Sequence, residues 1–140
     1  MKKLIIILII ITLFTLSACT TKTQIPEDDS DKLVIHYFYS DGCPSCDVQE
    51  EFMQELLDKY TGIEIKKYNM KEDESKELLE LFSKAYEERI IAAPATFISD
   101  IVINGFGTNE TTGKIIENQI RTCQQSTCKN PADILREKLN

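Results

Sequence analysis

An apolar run, LVIHYFY from Leu33 to Tyr39, is separated only by Ser40-Asp41-Gly42 from Cys43-Pro44-Ser45-Cys46, and helical spacing begins at Pro44. This constrains the chain more than any other feature. A run apolar at nearly every position, broken only by His36, reads as a strand buried on both faces. Proline suits the first turn of a helix, where its missing donor would have had no partner. The two cysteines therefore sit at the elbow of a strand–turn–helix unit. Cys43 lies at the open end of the helix and Cys46 about one turn deeper on the same face.

Physical chemistry gives that elbow a direction of reactivity. Unpaired backbone donors and the helix dipole favour an anion at Cys43, and the thiolate is the attacking form of cysteine. Cys43 is thus the expected nucleophile, and Cys46 the thiol that resolves a mixed disulfide. Zinc held by four thiolates is the chemical rival, since the spacing of Cys43 and Cys46 suits a zinc knuckle. That site would need Cys123 and Cys128 beside them, and these lie far along the chain with four residues between them.

The rest of the chain reads as an ordered series of elements. Val48, Phe52, Leu56 and Tyr60 fall four apart, with Met53 and Leu57 widening the stripe, and predict a helix from Pro44 to near Gly62. A strand is expected over 63–68 and a helix over 72–88, the latter burying Leu78, Leu79, Phe82, Ala85 and Tyr86. Two short strands follow, Thr96 to Ser99 and Ile101 to Asn104, and then a helix over 112–121 with Ile115, Ile116 and Ile120 inward. Pro131 opens a last helical piece carrying Ile134, Leu135 and Leu139. Right-handed crossovers make the first two strands a parallel pair, and an antiparallel hairpin completes a mixed α/β sheet. The glycines of NGFGTNETTGK are turn residues; the stretch lacks the spacing and terminal Lys-Ser/Thr of a phosphate loop.

From Leu33 to about Arg121 the chain resembles the thioredoxin-like superfamily. The matching features are the buried strand entering Cys43-Pro44-Ser45-Cys46 and, much later, Ala93-Pro94-Ala95-Thr96-Phe97 leading into a hairpin. The resemblance implies a central mixed sheet flanked by helices, here with a short C-terminal helical extension. It implies that Pro94 has a cis peptide bond beside the cysteine pair, and that the Ala93 backbone positions a bound substrate chain. It also implies thiol–disulfide oxidoreductase activity with no cofactor. Many thioredoxins carry a buried acid six residues before the first cysteine, where this chain has Tyr37. Gly42 stands where tryptophan is common, and Pro44-Ser45 replaces Gly-Pro. These departures leave the direction of electron flow open. Asp47 and Glu50 are expected on a solvated helix face, and His36 as a packed strand residue.

Three further readings concern the ends. Lys2 and Lys3 precede an apolar run from Leu4 to Leu16, which reads as an export signal over 1–18. Leu16-Ser17-Ala18-Cys19 resembles the bacterial lipoprotein cleavage box, which implies a lipidated Cys19 and attachment to a membrane outside the cytosol. An uncleaved single-span anchor is the alternative. Residues 19–32 are polar and acidic with one proline and read as a flexible tether, leaving 33–140 as one domain. Loss of the two signal lysines takes the formal charge from -7 to -9, which argues against nucleic acid as a partner. The expected partners are exported protein thiols and disulfides, a membrane electron-transfer protein, and the bilayer; the body is expected to be a monomer. Outside the cytosol disulfides persist, so Cys123 and Cys128 read as a structural bridge or as a second redox pair. A non-catalytic binding or assembly module with locked disulfides is the competing function.

Overall fold

The computed structural model describes residues 23–140; the export signal expected over residues 1–18 and the lipidation expected at Cys19 lie outside the described residues. Strand β1 is Leu33–Tyr39 and helix α1 is Pro44–Lys59. They are followed by β2 (Ile63–Asn69), α2 (Asp73–Ala85), β3 (Ala95–Ile98) and β4 (Ile101–Asn104). One π-helical turn, Asn109–Gly113, leads into α3 (Lys114–Gln125), and α4 (Pro131–Leu139) closes the chain. The sheet order is β2-β1-β3-β4, with β1 and β2 parallel and β3 antiparallel to both of its neighbours.

Alternation along β1 supplies two cores. Ile35 and Tyr37 face α1 and α3, joining Phe52, Met53, Leu56, Ile116 and Ile120. Phe38 faces α2 and α4, with Leu78, Leu79, Phe82, Phe97 and Leu135. Both faces of β1 are covered, which explains why its apolar run is nearly unbroken. The result is the expected thioredoxin-like fold: a mixed sheet between two helical layers, with α4 as the C-terminal extension.

Several boundaries and faces differ from the periodicity. In α1 the inward residues are Cys46, Gln49, Phe52, Met53 and Leu56, while Val48 and Leu57 point outward. The 46-49-53-56 stripe is also helical in spacing, and the polar Gln49 hid it. Helix α2 stops at Ala85 because Glu87 adopts a positive φ of 56°. The Glu88 amide then bonds Ser83 O and the Glu87 amide bonds Lys84 O, a Schellman closure made without glycine. Helix α3 runs on through Cys123, with Ile116 and Ile120 buried and Ile115 outward.

The segment read as a tether is docked from Ile25 onward. Ile25 packs on the core of Phe38, Leu79 and Phe82. Arg136 donates to Pro26 O at 2.6 Å, and Asn130 donates to the carbonyls of Asp29 and Lys32. Asp28, whose carboxylate is fully buried, accepts from His36, Lys66 and the Ala132 amide. Composition pointed to a free chain because the groups that satisfy these polar atoms come from distant β1, β2 and α4.

Candidate active site

Cys43 caps α1, and its position follows from the turn before it. Gly42 has φ +74° and open space where a Cβ would stand, a backbone setting that favours glycine whatever the room around it. This turns the chain from β1 into the helix, and Pro44 occupies the first helical position. The carbonyl of Cys43 accepts the amides of Cys46 and Asp47 at 2.9 and 3.1 Å. Its sulfur receives the Cys46 N–H at 3.2 Å and lies 3.4 Å from the Ser45 hydroxyl.

Cys43 and Cys46 are joined as a disulfide, with Cα atoms 5.2 Å apart. Cys43 is partly exposed and Cys46 is 2% exposed, so the first sulfur is the one open to the surface. On reduction, the donors at Cys43 face a developing thiolate at a helix N-terminus, an arrangement that favours its ionisation. The Ala93–Pro94 peptide bond is cis, Pro94 is buried, and Ala93 O stands 3.8 Å from Cys43 Sγ. Pro94 O in turn accepts the Gly105 amide at 2.7 Å, tying this loop to the end of the hairpin. Residues 43, 46, 93 and 94 thus converge at one end of the sheet although about fifty residues separate the two motifs.

Beneath the bridge lies a polar layer. Tyr37, fully buried, donates its hydroxyl to Cys46 O at 3.0 Å. Burial, reinforced by the charges of Glu50 and Asp47, pushes its phenol above the ordinary range and keeps it a donor. Gln49 and Thr96 complete the layer, with Gln49 Nε2 donating to Thr96 Oγ1 at 2.6 Å. Gln49 was not among the expected site residues, although its place three residues after Cys46 on one helix was the available signal. Asp47 and Glu50 stand on the exposed face, where Glu50 pairs with Lys67. His36 is packed at mid-strand, stacked on Tyr68 and bonded to Asp28, remote from the cysteines.

The second pair is elsewhere. Cys123 and Cys128 form a disulfide beside Leu33 and Gly62, at the opposite end of β1 from Cys43. Seven strand residues span roughly 20 Å, so the two bridges cannot exchange within one molecule, and the four sulfurs do not meet around one metal. The Cys123–Cys128 bridge fastens the end of α3 to the turn before α4, where Asn130 accepts the Val34 amide at 2.9 Å. Closing so short a loop stabilises by about 2 kcal/mol. Replacing both cysteines with alanine is expected to lower stability by about that amount in chemical denaturation. The rate of exchange at Cys43 should be unchanged; a lost rate at intact stability would make the pair an electron relay between molecules.

No family model matches the chain, and none of the curated proteins matches it. Among solved structures it is similar to thioredoxin f2 of Chlamydomonas reinhardtii, at 20% identity over 67% of this chain and 85% of that one, with a TM-score of 0.47. It is also similar to an uncharacterized thioredoxin-like protein from Clostridium perfringens, at 17% identity over 75% of this chain and 90% of that one, with the same TM-score of 0.47.

Proposed function

We propose that this chain is a thiol–disulfide oxidoreductase acting on exported proteins, held outside the cytosol at a membrane through lipidated Cys19. The observation that carries the chemistry is the Cys43–Cys46 bridge at the start of α1, with Ala93 O against the outer sulfur. In the reducing direction the Cys43 thiolate attacks a substrate disulfide, one substrate sulfur leaves as thiolate, and a mixed disulfide forms. Cys46 then loses its proton and attacks Cys43 Sγ; the second substrate sulfur leaves with the bonding pair and takes up the proton. Two electrons pass from the cysteines to the substrate. Run backwards, the same steps oxidise a substrate dithiol. Both directions use sulfur alone, so no cofactor is required. Ala93 positions the substrate backbone across the exposed sulfur, and a membrane electron-transfer protein resets the pair. The body works as a monomer.

The location rests on Leu16-Ser17-Ala18-Cys19 after a charged start and an apolar run. Among the described residues no helix is long and apolar enough to cross a membrane, so attachment depends on the segment before them. Cys19→Ala is expected to move the protein from the membrane to the soluble fraction and to abolish incorporation of labelled palmitate. An unchanged distribution would sink the lipid anchor. For the chemistry, insulin reduction with a dithiol and oxidation of a dithiol peptide with glutathione disulfide cover both directions. Turnover is expected in at least one. Silence in both, from folded protein whose Cys43 is alkylated after reduction, would leave a passive binding module.

A further inference from the structure

One turn along α1 from Cys46 sits a buried acceptor with nothing to accept. Gln49 is completely buried; its Nε2 is used by Thr96, while its Oε1 has no hydrogen-bond partner. A buried carbonyl left without a donor is costly, and native structures retain few of them. Gln49 lies three residues after Cys46 on the inner face of α1. Helical side chains lean toward the N-terminus, which turns its carboxamide toward the turn that carries Cys46. Thr96 holds the other end of the amide, and Thr96 is itself fixed opposite Tyr37 in the β1–β3 pairing. Thr96 thus fixes the amide from its Nε2 end, and in the oxidised protein Cys46 has no proton to offer.

We propose that Gln49 Oε1 is the acceptor for the Cys46 thiol, unsatisfied in the disulfide and satisfied by the S–H when the pair is reduced. This rests on the thiol–disulfide reading of the site and deepens it. Gln49 is a positioning residue: it aims the resolving thiol and takes no proton. When Cys46 attacks the mixed disulfide, its proton goes to the departing substrate thiolate, two electrons leave the cysteine sulfurs, and Oε1 is orphaned again. The orphaned acceptor destabilises the disulfide relative to the dithiol. The pair is therefore more oxidising than its helix position alone would make it.

Gln49→Leu keeps the bulk and removes the acceptor. Equilibrated with glutathione, this variant should shift about tenfold toward the disulfide, equivalent to about 30 mV more negative for a two-electron couple. A merely structural role would change folding stability without moving that ratio. An unchanged ratio, or a shift toward the dithiol, overturns the proposal; the latter would mean that the amide presents its N–H to a thiolate. A second measurement leaves Gln49 in place and reads the wild-type protein, with Cys46→Ser serving only to assign the band. In wild-type protein reduced with a phosphine, the infrared S–H band that Cys46→Ser removes should lie below the frequency of a free thiol. A band at the free-thiol frequency overturns the proposal as well. Neither readout requires a protein substrate. If glutathione and insulin exchange both fail while the band is lowered, the oxidoreductase reading falls and the contact stands.

Discussion

Replacing Cys46 with serine is expected to turn a catalyst into a trap. Cys43 keeps its place at the start of α1, its Ser45 and Cys46 backbone donors and its exposure, so it still attacks a substrate disulfide. The mixed disulfide then has no internal thiol to resolve it. A well-oriented intramolecular nucleophile can act at an effective concentration of about 10⁵ M or more, whereas an added thiol is present at millimolar levels. Steady-state turnover should fall by at least about 10³-fold, and intact mass spectrometry should find the substrate peptide attached at Cys43. Cys43→Ser should lose turnover to the same degree and form no adduct, because the buried Cys46 cannot be reached. The order of roles would be wrong if the Cys46→Ser protein kept its rate, or if the adduct formed in Cys43→Ser instead.

The asymmetry behind that expectation is legible in the sequence, because it depends on local spacing. A buried strand, a short turn and Pro44 fix a helix start, and a helix start distinguishes its first cysteine from its fourth residue. The sheet order is also accessible, since right-handed crossovers leave few arrangements for these strands. The residues that leave no local mark depend on contacts distant in sequence. Gln49 shares the helical spacing of the buried stripe, but a polar residue stays there only because distant Thr96 takes its amide. Val48 and Ile115 are apolar yet outward, which costs little and leaves no trace in spacing. Glu87 ends α2 in a conformation that glycine usually signals. The 25–32 segment reads as free because its apolar residues are too few to hold it by themselves.

The buried charge that anchors that segment is Asp28, and Asp28→Ala should be the most destabilising single change outside the apolar core. The carboxylate joins four parts of the molecule: its own segment, His36 of β1, Lys66 of β2 and the Ala132 amide at the start of α4. On the other side of the ring the Tyr68 hydroxyl lies 3.0 Å from His36 Nδ1, so both ring nitrogens are held. Alanine would leave the Lys66 ammonium and the His36 ring facing no carboxylate, a loss of about 3–5 kcal/mol for one member of a buried pair. Amide exchange should accelerate over residues 25–32 and the first turn of α4, while exchange chemistry at Cys43 continues. Burial pushes the Asp28 carboxyl up, but the hydrogen bonds from His36, Lys66 and the Ala132 amide outweigh it and hold the group below its ordinary value. A depressed folded value means that this stabilisation is complete above the unfolded value, about pH 4, and is lost as pH falls through the folded one. The gap between wild type and Asp28→Ala should therefore be widest near neutrality and narrow in acid, as read from denaturant midpoints across the pH range. Equal midpoints at pH 7, with unchanged exchange over residues 25–32, would return the segment to a tether.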